Sequence, residues 1–303
     1  MENSKSEREE KKNVRGLKAK LLIVLLYAAV LSTATYAWFT LNNKPRVFNL
    51  ALSAGGSADL LIADDTGGGP GEYSEKLDLK AARQDPVRME EMELNPVTTK
   101  DAKTFYQPVY TGKAVTDVKE IKEDELYKTY VYKKTFYLKA GSLKNKSGRK
   151  TSATKKSYDI MLLGTKQEEE NSGCVIKHVA GSPSEGGATA ANCIRIAFIV
   201  EGQDQIPVYE PNSNQHNSGD KATNSVDYGI KDTLKQPSEG GEFEGGENGY
   251  SKKLFTIKEE EDVKVTMLVW IEGTDDDCTN SIQLGEIMGN IQFISKDAEE
   301  TGR

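Results

Sequence analysis

The chain has 303 residues, of which 37% are hydrophobic and 29% are charged, with a formal net charge of −7. Residues 1–20 hold seven Lys or Arg and four Glu, which leaves 33 basic and 43 acidic side chains in the remainder. Such an acidic remainder argues against a nucleic-acid partner, because a basic face supplies most of the affinity for phosphate backbones. A membrane bundle is excluded as well, because only one apolar run approaches the length that spans a bilayer.

That apolar run is the most informative feature of the chain. No residue from Leu21 to Asn43 is charged, and a helix needs about 20 apolar residues to cross a bilayer core. The five basic residues and no acid among residues 11–20 predict that residues 1–20 are a cytoplasmic basic region. Residues 21–43 are then a signal peptide or a transmembrane anchor, and residues 44–303 form an extracytoplasmic domain.

Beyond the apolar run, hydrophobic and polar residues alternate as they do in half-buried β-strands. The pattern predicts strands at Arg46–Ala54, at Ala58–Ala63, from Tyr127 onward, and at Tyr158–Leu163, Val175–Val179, Asn192–Glu201, Lys253–Ile257, Asp262–Glu272 and Gly289–Ser295. The first two strands flank a Gly-Gly turn, which predicts a hairpin. Asp262–Glu272 is the best candidate for a central strand, because both of its faces are apolar toward its end.

Two segments interrupt the strand pattern. Ser74–Leu94 is rich in Glu, Lys, Ala and Met, which predicts a helix interrupted by Pro86. Residues 211–250 have few apolar positions, which predicts a flexible insert. The predicted fold class is therefore all-β: a β-sandwich of jelly-roll type, preceded by one N-terminal apolar membrane or signal helix.

The three cysteines, Cys174, Cys193 and Cys278, are too few and too widely spaced for a zinc cluster. Outside the cytoplasm, one disulfide can form and leave one thiol over. A Cys174–Cys193 bond would close the Gly/Ser/Ala loop between them, whereas a Cys193–Cys278 bond would tie two predicted strands. The third alternative is that all three cysteines stay reduced.

One group of oxygen-bearing side chains suggests a metal. Glu272, Asp275, Asp277 and Asn280 lie close together on a predicted turn, and calcium takes six to eight oxygen ligands from such loops. They form a candidate weak calcium site, and no other cofactor is expected. The alternative is an ordinary turn, in which Asp and Asn side chains bond to their own backbone.

The end of the apolar run has the residues of a signal-peptidase site. Thr35 and Ala37 are small residues at the −3 and −1 positions, which predicts cleavage between Ala37 and Trp38. The alternative is an uncleaved anchor. The step Thr35-Tyr36-Ala37-Trp38-Phe39-Thr40 resembles the signal peptides of the TasA/camelysin group of Gram-positive surface and biofilm-matrix proteins. The resemblance implies a β-sandwich subunit that a dedicated signal peptidase releases, and that forms matrix fibres or coats the cell surface.

Residues for catalysis are scarce. The chain contains only His178 and His216, and it lacks the His-Glu-x-x-His, Gly-x-Ser-x-Gly and P-loop motifs. We therefore expect a non-enzymatic structural protein of the cell surface or extracellular matrix, which self-associates or coats the envelope. In self-association, Val47–Ala54 would pair with the open sheet edge of a neighbouring copy. The alternatives are a membrane-tethered extracellular module that binds a glycan, calcium or a protein, and an extracellular hydrolase.

Overall fold

β-Strands dominate the computed structural model of the chain. The structure describes residues 20–27, 45–56, 59–79, 94–111, 114–141, 156–164, 173–179, 190–213, 228–235, 249–278, 282 and 285–298. Its contacts divide the chain into two units, residues 1–43 and residues 44–303. This boundary coincides with the predicted boundary between the apolar leader and the domain that follows it.

In the first unit, residues 20–27 are helical (α1). The side chains from Leu21 to Tyr27 are more than half exposed. The rest of the predicted signal or membrane segment, including the Ala37–Trp38 cleavage site, lies outside the described residues. No helix within the described ranges has the length and apolar character to cross a bilayer.

The second unit contains fifteen strands and two short helices in its described part. The helices are α2 (Glu123–Thr129) and α3 (Ala190–Cys193). The strands are β1 (Arg46–Gly56), β2 (Leu61–Asp64), β3 (Lys76–Asp78), β4 (Thr98–Thr99), β5 (Phe105–Thr111), β6 (Ala114–Glu120), β7 (Tyr132–Lys139), β8 (Ser157–Leu162), β9 (Val175–His178), β10 (Ile194–Val200), β11 (Val208–Glu210), β12 (Leu234–Lys235), β13 (Phe255–Lys258), β14 (Val263–Ile271) and β15 (Glu286–Asp297).

These strands form three sheets. The first sheet has the order β13-β8-β15-β1-β3, with β9 also paired to β15. The second has the order β12-β11-β10-β14-β7-β2, and a small third sheet has the order β4-β5-β6. β14 lies inside the second sheet, as its sequence predicted. The parallel pairing of β1 with β15 departs from the antiparallel topology of a jelly roll.

Two hydrophobic clusters explain the sequence pattern of β14. Met267 and Val269 belong to a cluster that also holds residues of the first sheet, whereas Leu268 and Trp270 belong to a cluster that also holds Phe105 of the third sheet. The ring of Trp270 packs edge-on against Phe105 at a centroid distance of 5.5 Å. The second sheet is therefore covered on both faces in this region, and β14 is apolar on both faces for that reason.

Aromatic contacts join the first two sheets. Phe293 of β15 lies 5.2 Å from Phe198 of β10 and 5.7 Å from Phe136 of β7, measured between ring centroids. All three side chains are fully buried. Strands that lie far apart along the sequence therefore share one core.

Three local predictions were wrong. β1 and β2 do not form a hairpin, because β1 pairs with β15 and β3 whereas β2 pairs with β7 in the other sheet. The helix predicted at Ser74–Leu94 is wrong at its start, because Lys76–Asp78 is a strand whose pairing with β1 overrides its helical composition. Residues 80–93 of that prediction lie outside the described residues. The strand predicted from Tyr127 begins only at Tyr132, because α2 precedes it with three acidic residues in the first turn, where the helix dipole favours them.

The predicted flexible insert at residues 211–250 is described only at residues 211–213, 228–235 and 249–250. These parts are attached to the domain. Asn212 is buried and donates from Nδ2 to the carbonyl oxygens of Ile176 and Ala191, at 2.9 and 3.2 Å. Leu234–Lys235 forms the edge strand β12. These described parts of the insert are therefore part of the fold.

Candidate functional site at the turn after β14

The turn from Glu272 to Cys278 collects most of the residues that the sequence singled out. Its backbone is fixed to the residue before β10, because the amide of Glu272 donates to the carbonyl oxygen of Cys193 at 2.7 Å. Near the end of the turn, Asp277 Oδ2 accepts from Asn192 Nδ2 at 2.8 Å. The turn is therefore clamped at both ends to α3.

A buried arginine lies at the centre of this region. Arg195 Nη2 lies 2.6 Å from Asp275 Oδ2 and 3.0 Å from Glu210 Oε1, and Nη1 donates to the carbonyl oxygen of Ile194 at 3.0 Å. Glu210 also contacts Thr233 and Lys235. Burial alone would lower the pKa of Arg195, but the surrounding carboxylates of Asp275, Glu210 and Glu272 raise it. Arg195 is therefore a permanent cation inside the protein.

Glu272 is the third carboxylate beside this arginine. It accepts hydrogen bonds from Trp270 Nε1 at 3.2 Å, Thr274 Oγ1 at 2.7 Å and the Thr274 amide at 3.1 Å. Burial raises its pKa above the ordinary range, although Arg195 and the bonds from Thr274 oppose that rise. Glu272 therefore anchors the turn to the end of β14.

The predicted calcium ligands are only partly brought together. Glu272, Asp275 and Asp277 occupy one turn, but they bond to Thr274, Arg195 and Asn192, respectively, and Asn280 lies outside the described residues. Within the described ranges, no group of three or more His, Cys, Asp or Glu side chains is arranged to hold a metal ion. The cation that contacts Asp275 is Arg195, and calcium binding here stays a prediction.

The cysteines are arranged differently from the predicted Cys174–Cys193 pair. None of the three is in a disulfide bond. Cys174 Sγ donates to the carbonyl oxygen of Gln292 at 3.6 Å, and burial raises its pKa to about 12. The thiol of Cys193 instead contacts the thiol of Cys278. The structure therefore places together the cysteines of the alternative pair.

A tyrosine from the third sheet contacts one of these thiols. Tyr110 Oη donates to the carbonyl oxygen of Gly273 at 2.8 Å and lies 3.9 Å from Cys278 Sγ. Burial and the neighbouring Cys278 raise the pKa of Tyr110 well above its ordinary value. The hydroxyl is therefore neutral, and it links the β5–β6 hairpin to the turn.

Sequence reasoning missed Arg195, Glu210 and Asn192. The signal for Arg195 was present, because it is the only charged residue in the strand Ile194–Val200. An ionised side chain in such an apolar strand requires an acidic partner. The identity of that partner depends on tertiary contacts, since Glu210 and Asp275 lie on other elements. His178 ends β9 as expected, whereas His216 lies outside the described residues.

Comparisons with protein-family models, with curated proteins and with solved structures find no match to this chain. The resemblance at residues 35–40 therefore stays a prediction.

Proposed function

We propose that the chain is an exported, non-enzymatic structural protein of the cell surface or extracellular matrix, built as a β-sandwich that associates with copies of itself. The leader at residues 21–43 delivers the domain to the outside of the cell. The single observation that supports the association is the position of β1. This strand is the first described element of the second unit, and it occupies an interior place in the first sheet.

β1 is a long and strongly buried strand. It has 11 residues and runs parallel to β15 from the pair Arg46 and Glu286 to the pair Gly56 and Ser295. Val47, Leu50 and Leu52 are at most 1% exposed. Such a strand contributes a large apolar surface to the core. Withdrawing it would open a groove that only a strand of the same sequence pattern fills well.

The edges of the two large sheets offer little for a neighbour to bind. Among the strands that the structure describes, the edge strands β13, β9 and β2 have four residues each, β3 has three and β12 has two. Short edges are poor templates for strand addition. We therefore replace the expected addition of Val47–Ala54 to an open edge with an exchange, in which β1 of one copy takes the place of β1 in the next copy.

Cleavage of the leader would control this exchange. A cut between Ala37 and Trp38 makes residues 38–45 the N-terminal segment in front of β1. An uncut chain instead holds β1 next to a membrane segment, which keeps the strand within reach of its own domain only. A signal peptidase is then the partner that permits assembly, and the membrane is the partner that delays it.

A pair of engineered cysteines tests the exchange. Arg46 and Glu286 are Cα partners at the first pair of the β1–β15 ladder. In the variant R46C/E286C, oxidation of monomers locks β1 into its own sheet, and such protein is expected to stay monomeric in sedimentation velocity. Oxidation after assembly is expected to join neighbouring copies, which gives a ladder of covalent multimers on a non-reducing gel.

The single variants R46C and E286C are the matched controls, because neither can lock β1 within one chain or link a series of copies. The cleaved protein should be studied over a wide range of concentrations, with its N-terminus sequenced. The proposal fails if the cleaved wild-type protein stays monomeric throughout. The exchange fails separately if the locked monomers assemble as well as the same protein under reducing conditions.

A further inference from the structure

We propose that Cys193 and Cys278 form a structural disulfide when the chain folds outside the cytoplasm, and that this bond fastens the turn after β14 to the start of β10. The inference is independent of the exchange of β1, because it concerns a different part of the fold. It rests on the contact between the two thiols and on the backbone bonds that hold both cysteines in place.

Hydrogen bonds on either side of the two thiols hold their chain segments next to each other. The carbonyl oxygen of Cys193 accepts from the Glu272 amide at 2.7 Å, and the amide of Cys278 donates to the carbonyl oxygen of Asp275 at 2.9 Å. The side chains of Asn192 and Asp277, the residues just before the two cysteines, are bonded at 2.8 Å. The two chain segments are therefore held side by side at the cysteines, and the side chains of Cys193 and Cys278 interact with each other. A disulfide requires backbone positions that lie close together in this way.

Cys174 is excluded from this bond by its surroundings. Its sulfur donates to the Gln292 carbonyl oxygen and accepts from the Gln292 amide, at 3.6 and 3.3 Å. These contacts hold it against β15 in the first sheet, whereas Cys193 and Cys278 flank the second sheet. A selective Cys193–Cys278 bond therefore leaves Cys174 as a thiol.

The chemistry is a thiol–disulfide exchange with a small external disulfide. The thiolate of one cysteine attacks a sulfur of the external disulfide and releases one thiol, which gives a mixed disulfide on the protein. The thiolate of the second cysteine then displaces the other thiol. In total, two protein thiols lose their hydrogens to form one bond, and the external disulfide is reduced to two thiols.

The thiol–disulfide exchange takes place while the chain folds, before the two cysteines are buried. Burial raises the pKa of Cys193 well above its ordinary value, so the folded protein holds almost no reactive thiolate there. Tyr110 covers Cys278 from the β5–β6 hairpin. Once formed, the bond is protected from reductants by the same burial.

The test uses the full-length chain, kept in detergent. The chain is unfolded in the presence of reductant and is then refolded in a mixture of oxidised and reduced glutathione. Remaining thiols are then alkylated in denaturant, and the digested protein is mapped by mass spectrometry. The expected result is one peptide pair that links Cys193 to Cys278, with Cys174 alkylated. Alkylation of all three cysteines, or a linkage that includes Cys174, would overturn the proposal.

Two further measurements separate a structural bond from a chance linkage. The bond closes a loop of about 85 residues, so the oxidised protein is expected to melt roughly 10 °C above the reduced protein. The variant C174S should keep this difference, whereas C193S/C278S should lose it. An equal Tm for the oxidised and reduced wild-type protein would refute a structural role, and the peptide map stays informative if C193S/C278S does not fold.

Discussion

The guanidinium group of Arg195 lies 2.6 Å from the carboxylate of Asp275, and both residues are only 7% exposed. This ion pair joins β10 to the turn after β14. A buried pair of this kind contributes little net stability, because the loss of hydration offsets the attraction between the charges. Removal of Arg195 would leave the Asp275 carboxylate buried without its cation, whereas removal of Asp275 would leave Arg195 paired with Glu210 at 3.0 Å.

Replacement of Arg195 by methionine should be strongly destabilising. In R195M, the carboxylates of Asp275 and Glu210 lose their shared cation, and we expect the free energy of unfolding to fall by about 3–5 kcal/mol. Urea denaturation would measure this change. The matched control is K235M, which removes the more exposed cation from Glu210 and should cost about 1 kcal/mol or less. Equal losses in the two variants would contradict the central role of Arg195.

The sequence predicted the strands whose alternation was clear. β8, β9, β10, β13, β14 and β15 lie where the apolar pattern placed them. The third sheet was missed, because β5 and β6 present mostly exposed residues and carry a weak alternation. The division into sheets was also missed, since pairing such as that of β1 with β15 depends on contacts between distant parts of the chain.

The sequence predicted which residues lie in the candidate site, but it did not predict which of them pair with each other. The acidic turn at Glu272–Asp277 was visible in the sequence, and so was the option of a Cys193–Cys278 bond. The cation that the acids surround comes from β10, where the surrounding apolar residues suggested only a buried strand. A sequence pattern gives the burial of a side chain, whereas the partner of a buried charge follows from the tertiary fold.

A second buried ion pair should respond unequally to the loss of its two members. Lys134 is 2% exposed and contacts Asp64 Oδ1 at 2.8 Å, whereas the Asp64 side chain is 27% exposed. We expect D64A to cost about 3 kcal/mol, because it leaves a buried ammonium without its carboxylate. K134M should cost less than D64A, because the Asp64 side chain is 27% exposed, although its Oδ1 atom is itself buried. Urea unfolding of both variants would reveal a greater loss in K134M if this explanation is wrong.

Glu272 should make the stability of the protein depend on pH. Its pKa is raised above the ordinary value of 4.5 by burial, so the folded state binds its proton more tightly than the unfolded state does. Between the two pKa values the folded state holds more protons, and this contribution to stability therefore falls as the pH rises.

The variant E272Q removes this dependence. The wild-type free energy of unfolding minus that of E272Q should decrease with rising pH, by about 1.4 kcal/mol for each unit by which the pKa is raised. Urea unfolding at a series of pH values from acid to neutral would measure the difference. The variant E120Q, which makes the same replacement at an exposed position on β6, is the control. A difference that increases with pH would show that the sign is wrong.

The contact between β9 and β15 should require a glycine at position 289. A Cβ atom added to Gly289 would lie 2.1 Å from the carbonyl oxygen of Val175 and 2.8 Å from Ile176 Cδ1. Because the first contact is with backbone, β9 must move away from β15 to admit it. We expect G289A to lower the free energy of unfolding by roughly 3 kcal/mol and to increase hydrogen exchange at the amides of β9.

The control is G55A, since the nearest atom to its added Cβ is Gln292 Nε2 at 3.9 Å. G55A should change stability by no more than about 0.5 kcal/mol, and an equal cost in both variants would refute the close approach of β9 to Gly289.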